Sequence, residues 1–147
     1  MCIDVRKKCE CGSYTVQFHL RDNIMTGQVI ARLYCPTCPG NRGFDAESML
    51  CDNDWIIEYD MELARGLLAT KLQMDRDEVM PGFIFDSGYA CWQEMYPGEK
   101  ADIKEEREKI IELLQEDRSL YLQTMQEWNI ARIKRLKNAG WRKAQQA

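Results

Sequence analysis

The chemistry-bearing residues of this chain are four cysteines in two close pairs, Cys9 and Cys11 in CEC, and Cys35 and Cys38 in CPTC. Thiolates so spaced suit a metal ion, because each pair supplies one edge of the sulfur tetrahedron that zinc takes at about 2.3 Å. Gly12 follows the first pair and can adopt the positive φ of a tight turn, while Pro36 stiffens the second. The chain has seven cysteines, so a closed disulfide framework would leave one over. The N-terminal residues MCIDVRKKCECG lack the apolar stretch of a secretory signal, which makes a cytoplasmic location the expectation and metal the better use of paired thiols. Reduced thiols without a metal are the alternative.

Residues 9–38 resemble a zinc ribbon, and CPTCPG at 35–40 is similar to the knuckle shared by zinc ribbons and rubredoxins. CEC encloses one residue where the family pattern encloses two. The resemblance implies that Cys9, Cys11, Cys35 and Cys38 are the ligands and that the metal is structural Zn²⁺, with iron in a rubredoxin-like site less favoured. Four thiolates around Zn²⁺ carry a net charge of about −2. Arg6, Lys7 and Lys8 precede the first ligand and can offset it, or can form an ordinary solvated face.

Other residues support chemistry less well. His19, the one histidine, falls on the polar side of an alternating stretch and reads as a solvated strand residue. Cys91, in GYACWQE, would need a cationic setting to become a reactive thiol; Glu94 has the wrong sign, and packing is the simpler role. Cys2 and Cys51 have no partner near in sequence, and a second metal site built from Cys2, Cys51 and Cys91 is a minor alternative. Asp52-Asn53-Asp54 lacks the glycine and distal glutamate of a calcium loop and reads as helix capping. Asp60/Glu62 and Asp75/Asp77 have no accompanying nucleophile or histidine, so acid–base catalysis has little support.

These groups must be positioned by the surrounding elements. Tyr14, Val16, Phe18 and Leu20 alternate with Thr15, Gln17, His19 and Arg21, which predicts a strand with one buried face. Asp22, Asn23 and Gly27 supply turn chemistry, and Val29, Ala31 and Leu33 begin a second alternation. The two are expected to pair as a hairpin that brings the cysteines together. After Asp52–Asp54, Trp55, Tyr59, Leu63, Leu67 and Met74 recur at helical spacing, with Ala64 and Leu68 beside them. That spacing predicts one helix of about five turns, or two joined near Tyr59. Pro81-Gly82, Ser87-Gly88 and Pro97-Gly98 punctuate an aromatic loop, with a short strand expected at Gly82–Asp86. From Ala101 to Asn138 there is neither proline nor glycine; one unbroken helix there would be about 55 Å long. It is expected either to break near Asp117-Arg118-Ser119 into a helical hairpin or to pair with another chain. Gly140 is a stop signal.

The 147 residues are 45% apolar and 30% charged, a globular composition. No apolar run reaches the roughly 18 residues of a membrane span. Residues 1–44 carry six Lys/Arg against three Asp/Glu, whereas residues 45–100 carry four against thirteen. Residues 101–147 return to ten against eight, within a formal net charge of −4. The acidic middle argues against nucleic acid wrapped around the whole protein and leaves the ends as basic contacts. In WNIARIKRLKNAGWRKAQQA, Arg132, Lys134, Arg135 and Lys137 cluster on a helix ending near Trp141, without one acid. Such a segment can meet a protein, phosphates or an anionic surface, or can simply suit its own helix dipole. The expected fold class is therefore α+β: a metal-binding module over 1–44 and a mainly helical domain over 45–147. The expected function is that of a non-enzymatic zinc-binding adaptor with a protein partner. Nucleic acid is the narrower alternative, homo-oligomerisation through the C-terminal helix is a further one, and a redox protein or enzyme using iron or Cys91 is the rival class.

Overall fold

Strand β1 (Cys2–Lys8) is written mostly in charged residues, with Ile3 and Val5 as its apolar positions. It is held by pairing along its whole length with β2 (Thr15–Arg21), from Cys2↔Arg21 to Lys8↔Thr15. The computed structural model of the chain describes residues 2–21, 23–38, 43–93, 97 and 99–145. Asp22, Pro39, Gly40, Glu94 and Gly98, each used in the sequence reading, lie outside that set. In β2 the alternation is realised: Val16, Phe18 and Leu20 are buried and the intervening Gln17 and His19 are half-exposed. Period two converts apolar alternation into one packed face.

The expected hairpin between residues 14–20 and 29–34 does not form. The free edge of β2 is taken by β6 (Ala90–Trp92), giving an antiparallel sheet of order β1-β2-β6. The second alternation becomes β3 (Ile30–Tyr34) of another antiparallel sheet, order β3-β5-β4, with β4 (Met49–Asp52) and β5 (Trp55–Tyr59). A strand has two edges, and here both edges of β2 find partners other than the next strand in sequence.

The helix expected from residue 52 is also corrected. Asn53 and Asp54 have φ of 47° and 70°, and Asp52 pairs with Trp55 across them. Two consecutive left-handed residues are what a two-residue hairpin of right-twisted strands requires, and Asn and Asp tolerate that region. Trp55, Ile57 and Tyr59 are then buried on one face of β5. Trp55 and Tyr59 satisfy helical spacing as well as alternation; strand pairing on both sides of β5 decides between them. Helix α1 (Met61–Leu72) starts only after Asp60, whose Oδ1 accepts from the Leu63 amide at 3.2 Å. Removing this cap with Asp60→Ala is expected to cost about 1 kcal/mol, read as a lower urea midpoint with an unchanged slope.

Residues 82–86 are helical rather than extended. Pro81 occupies the first turn of α2 (Pro81–Asp86), where its missing N–H costs nothing, and Ile84 and Phe85 turn inward. The strand of this region is β6, three residues that are all buried. Two hydrogen bonds tie β6 to the other sheet. Tyr59 Oη donates to the Ala90 carbonyl at 2.7 Å, and Trp92 Nε1 donates to Asp52 Oδ2 at 2.5 Å.

The chain divides into two compact units, Met1–Gln93 and Glu94–Ala147. The composition shift at residue 44 therefore falls inside a compact unit, because β4 and β5 complete a sheet begun by β3. The second unit is helical. Helix α3 (Glu99–Glu112) gives way to a single turn at Leu113–Gln115, and α4 (Arg118–Asn138) follows for 21 residues. Asp117 caps α4 by accepting from Ser119 N at 3.0 Å and Leu120 N at 3.2 Å. The break predicted near residues 117–119 is thus real, and its cause is an N-cap. The helices meet through Glu106, which accepts from Trp128 Nε1 at 2.9 Å and lies 3.9 Å from Arg135 Nη1. Gly140, at φ 92°, ends α4 with the paired bonds Trp141 N→Leu136 O and Gly140 N→Lys137 O. Leu136 and Trp141 are both buried, the apolar contact that accompanies this stop. A short α5 (Arg142–Gln145) follows. The architecture is α+β: small antiparallel sheets in the N-terminal unit and helices in the C-terminal one.

Candidate metal centre

The two cysteine pairs sit at ends of strands. Cys9 and Cys11 occupy the turn of the β1–β2 hairpin, where Cys9 N donates to Tyr14 O at 3.1 Å and Gly12 N to Cys9 O at 2.8 Å. Gly12 holds φ at +76°, which a side chain there would resist. Cys35 and Cys38 occupy the turn that follows β3, closed by Cys38 N→Cys35 O at 3.1 Å. The two turns are stitched together by Glu10 N donating to Leu33 O at 2.8 Å. Main-chain pairing between Glu10, inside the first pair, and Leu33, two residues before the second, therefore brings the sulfurs together, although the strands themselves lie in different sheets.

The four Sγ atoms lie within 4.8 Å of one another. Successive separations are 3.2 Å for Cys9–Cys11, 3.4 Å for Cys11–Cys35 and 3.3 Å for Cys35–Cys38. Disulfide sulfurs would stand at about 2.05 Å, so these are thiols. Sulfurs bound to one zinc at about 2.3 Å stand about 3.8 Å apart, inside the range found. Four sulfurs from the protein fill a tetrahedron and leave no position for substrate, the pattern of structural rather than catalytic sites. Cys9 and Cys35 are buried and Cys11 and Cys38 half-buried. This donor set fits a thiophilic metal ion.

Local groups bias two of the four thiols, Cys11 and Cys35, toward the form a metal needs. The Ser13 hydroxyl and amide and the Cys9 thiol hold Cys11 down at about 6. Burial works against the Cys35 thiolate, but hydrogen bonds from Thr37, whose Oγ1 lies 3.3 Å from its sulfur, and from Cys38 outweigh it and lower it. Burial pushes Cys38 up to about 11. The Tyr14 amide also points at Cys9 Sγ, at 3.4 Å. Ser13 and Thr37 were missed in the sequence, although a hydroxyl residue within two positions of a cysteine was a readable signal. A metal ion must expel every thiol proton still present on its ligands: at neutral pH that of Cys38 is among them, and below about pH 6 that of Cys11 joins it. Affinity is therefore expected to fall with falling pH, by roughly tenfold per unit for each proton displaced and more steeply below pH 6. Competition with a chromophoric chelator between pH 5.5 and 8 measures it.

The other candidates stand elsewhere. His19 Nδ1 is 3.5 Å from Asp4 Oδ1 in the β1-β2-β6 sheet and outside the sulfur group. Cys51 is exposed and Cys91 buried. Among the described residues, the four sulfurs are the one grouping with metal-ligand geometry. On α4, Lys134, Arg135 and Lys137 are exposed and Arg132 is half-buried, its guanidinium 5.5 Å from the Trp128 ring. Trp141 is buried, at 8% exposure. Among the described residues no helix is long and apolar enough to cross a membrane. Comparison with protein families, with curated proteins and with solved structures gave no match. What the fold and site define is an α+β chain with a four-cysteine centre able to hold a metal ion.

Proposed function

We propose that this chain is a non-enzymatic zinc-binding protein of the cytoplasm, acting as an adaptor or regulatory module in which the metal is structural. The observation that carries this reading is the closed set of four sulfurs drawn from two turns 24 residues apart, which leaves no coordination site for chemistry. The ribbon-like module of residues 1–44 fixes its strands through the ion. The partner contact is the cationic end of α4, Arg132, Lys134, Arg135 and Lys137, with Trp141 as the packed anchor that holds its direction. Lys134 and Lys137 are exposed, and Arg135 lies 3.9 Å from Glu106 while itself exposed, which supports an acidic protein surface as the partner.

Metal analysis of the purified chain tests the first half. One zinc per chain in a colourless protein is the expected result, and a red protein containing iron would move the site to redox chemistry. The second half is tested with the quadruple variant Arg132→Glu, Lys134→Glu, Arg135→Glu and Lys137→Glu. Capture of protein partners by the immobilised chain is expected to be lost while zinc content is unchanged. Binding of a 30-mer nucleic acid that weakens steeply with salt would indicate phosphate contacts instead, and self-association lost in the same variant would indicate a second copy as the partner.

A further inference from the structure

The β1-β2-β6 sheet lines up three residues that the metal centre does not use. Asp4 pairs with His19 across β1 and β2, and His19 pairs with Cys91 across β2 and β6. Directly opposed residues of antiparallel strands share a face, with Cβ atoms about 5 Å apart. Asp4, His19 and Cys91 therefore stand in one row, with the imidazole in the middle. The row is organised on its carboxylate side, where Asp4 Oδ1 lies 3.5 Å from His19 Nδ1 and Asp4 Oδ2 accepts from Gln93 Nε2 at 2.9 Å. Nδ1 is thus engaged by a carboxylate, which leaves Nε2 as the basic nitrogen. Cys91 is a thiol and not half of a disulfide.

The charged groups around the row are of both signs. On β1 the diagonal neighbours of His19 are Cys2 and Arg6, and on its own strand they are Gln17 and Arg21. On the β6 side they are Gln93 and Tyr89, the latter with the Arg21 guanidinium 4.9 Å from its ring. Helix α2 packs against β6 and contributes one charged residue, Asp86, at its end. Arg6 and Arg21 stand beside the row as cations against Asp4 and Asp86 as acids, so what sets Cys91 apart is the imidazole opposite it and not a net positive field.

We propose that Asp4, His19 and Cys91 form a proton relay that makes Cys91 a nucleophile toward small disulfides, with His19 as the base and Asp4 as its positioning residue. Nε2 takes the thiol proton and the Cys91 sulfur attacks one sulfur of the disulfide. A new S–S bond forms as the old one breaks, and the leaving thiolate recovers the proton from His19. One small disulfide is consumed; a mixed disulfide on Cys91 and one free small thiol are produced. Attack at sulfur develops charge on the leaving sulfur and needs no dedicated oxyanion donors. At 4% exposure, Cys91 admits only small reagents. The relay does not depend on the metal reading, because none of its members is near the four sulfurs.

The test is peptide-resolved mass spectrometry of the full, metal-loaded chain exposed to the small uncharged disulfide of 2-mercaptoethanol, with exposed Cys51 as internal reference. Cys91 is expected to gain the adduct at pH 7 at least as fast as Cys51. His19→Gln should slow Cys91 by on the order of 10-fold or more, the low end of what a positioned base supplies, leaving Cys51 unchanged. Asp4→Asn should slow Cys91 in the same direction. The native rate is expected to vary little from pH 7 to 8, while in His19→Gln it climbs roughly tenfold per unit, as for an unassisted thiol whose pKa is about 8.5. A Cys91 that stays unmodified while Cys51 reacts, or that reacts equally fast or faster in either variant, would overturn the relay.

Discussion

With zinc bound at the four sulfurs as proposed, stripping it with a strong chelator is expected to abolish the protection of residues 9–38 against amide hydrogen exchange. A structural zinc contributes about 10 kcal/mol or more of apparent folding free energy, against about 5–15 kcal/mol for the whole stability of a typical domain. Here that energy is concentrated where other support is thin. Among the described residues, the main-chain bond Glu10 N→Leu33 O joins the Cys9–Gly12 turn to the strand leading into the Cys35–Cys38 turn. Without the ion, buried Cys9 and Cys35 keep only thiol–thiol contacts and a few N–H and O–H groups. Glu10, Gly12 and Cys38 amides should be the first to exchange. Cys35→Ser, at a site 2% exposed, should reproduce the chelated state, while Cys51→Ser on an exposed position should change nothing. A chain whose 9–38 amides stay protected after chelation, with Cys35→Ser as stable as the native protein, would show that the sulfurs cluster for packing alone. Readdition of zinc is expected to restore protection, and readdition of magnesium is not, because thiolates are poor ligands for a hard cation.

What the sequence revealed and what it concealed follow the range of the interactions. The sulfur site was legible because each pair is local, and a turn two or three residues long can be read from Gly12 or Pro36 without knowing the fold. The stop at Gly140 and the break before α4 were legible for the same reason: an N-cap and a left-handed glycine act within a few residues. The alternation in β2 was legible too, but its partners were not. Nothing in Val16, Phe18 or Leu20 says whether the neighbouring strand is the next in the chain or one 70 residues on. β1 was hidden because Arg6, Lys7 and Lys8 read as a cationic run, and its stability comes from pairing rather than from an apolar face. Trp55 and Tyr59 misled because a spacing of four fits a helix and an alternating strand alike, and the Asn-Asp turn before them imitates a helix cap. Asp4 and Cys91 are 87 residues apart, and only the sheet register sets them on either side of His19.

Trp92→Ala is expected to destabilise the first unit by about 3–5 kcal/mol, the usual cost of deleting a large buried aromatic, and by more through the polar contact it removes. Trp92 is 1% exposed and meets three rings, Phe18 at 5.0 Å, Phe85 at 5.9 Å and Trp55 at 6.0 Å between centroids. Two of those contacts are edge-on, a geometry worth about 0.5–1.5 kcal/mol beyond the area buried. The indole also donates to Asp52, which is itself 1% exposed. Asp52 belongs to β4 and Trp92 to β6, so this bond fastens one sheet to the other. Removing a donor from a buried carboxylate costs more than the bond's net worth, about 1–3 kcal/mol or above for a charged group. Trp92→Phe separates the two contributions, since it keeps most of the ring packing and loses the N–H. It should cost less than Trp92→Ala, and much of its cost should vanish in an Asp52→Leu background, where no carboxylate is left to satisfy. Urea midpoints for the two single variants and the pair give that coupling directly. A coupling below about 0.5 kcal/mol would mean that Asp52 is held by its other surroundings and that the sheets are joined by ring packing and the Tyr59–Ala90 bond.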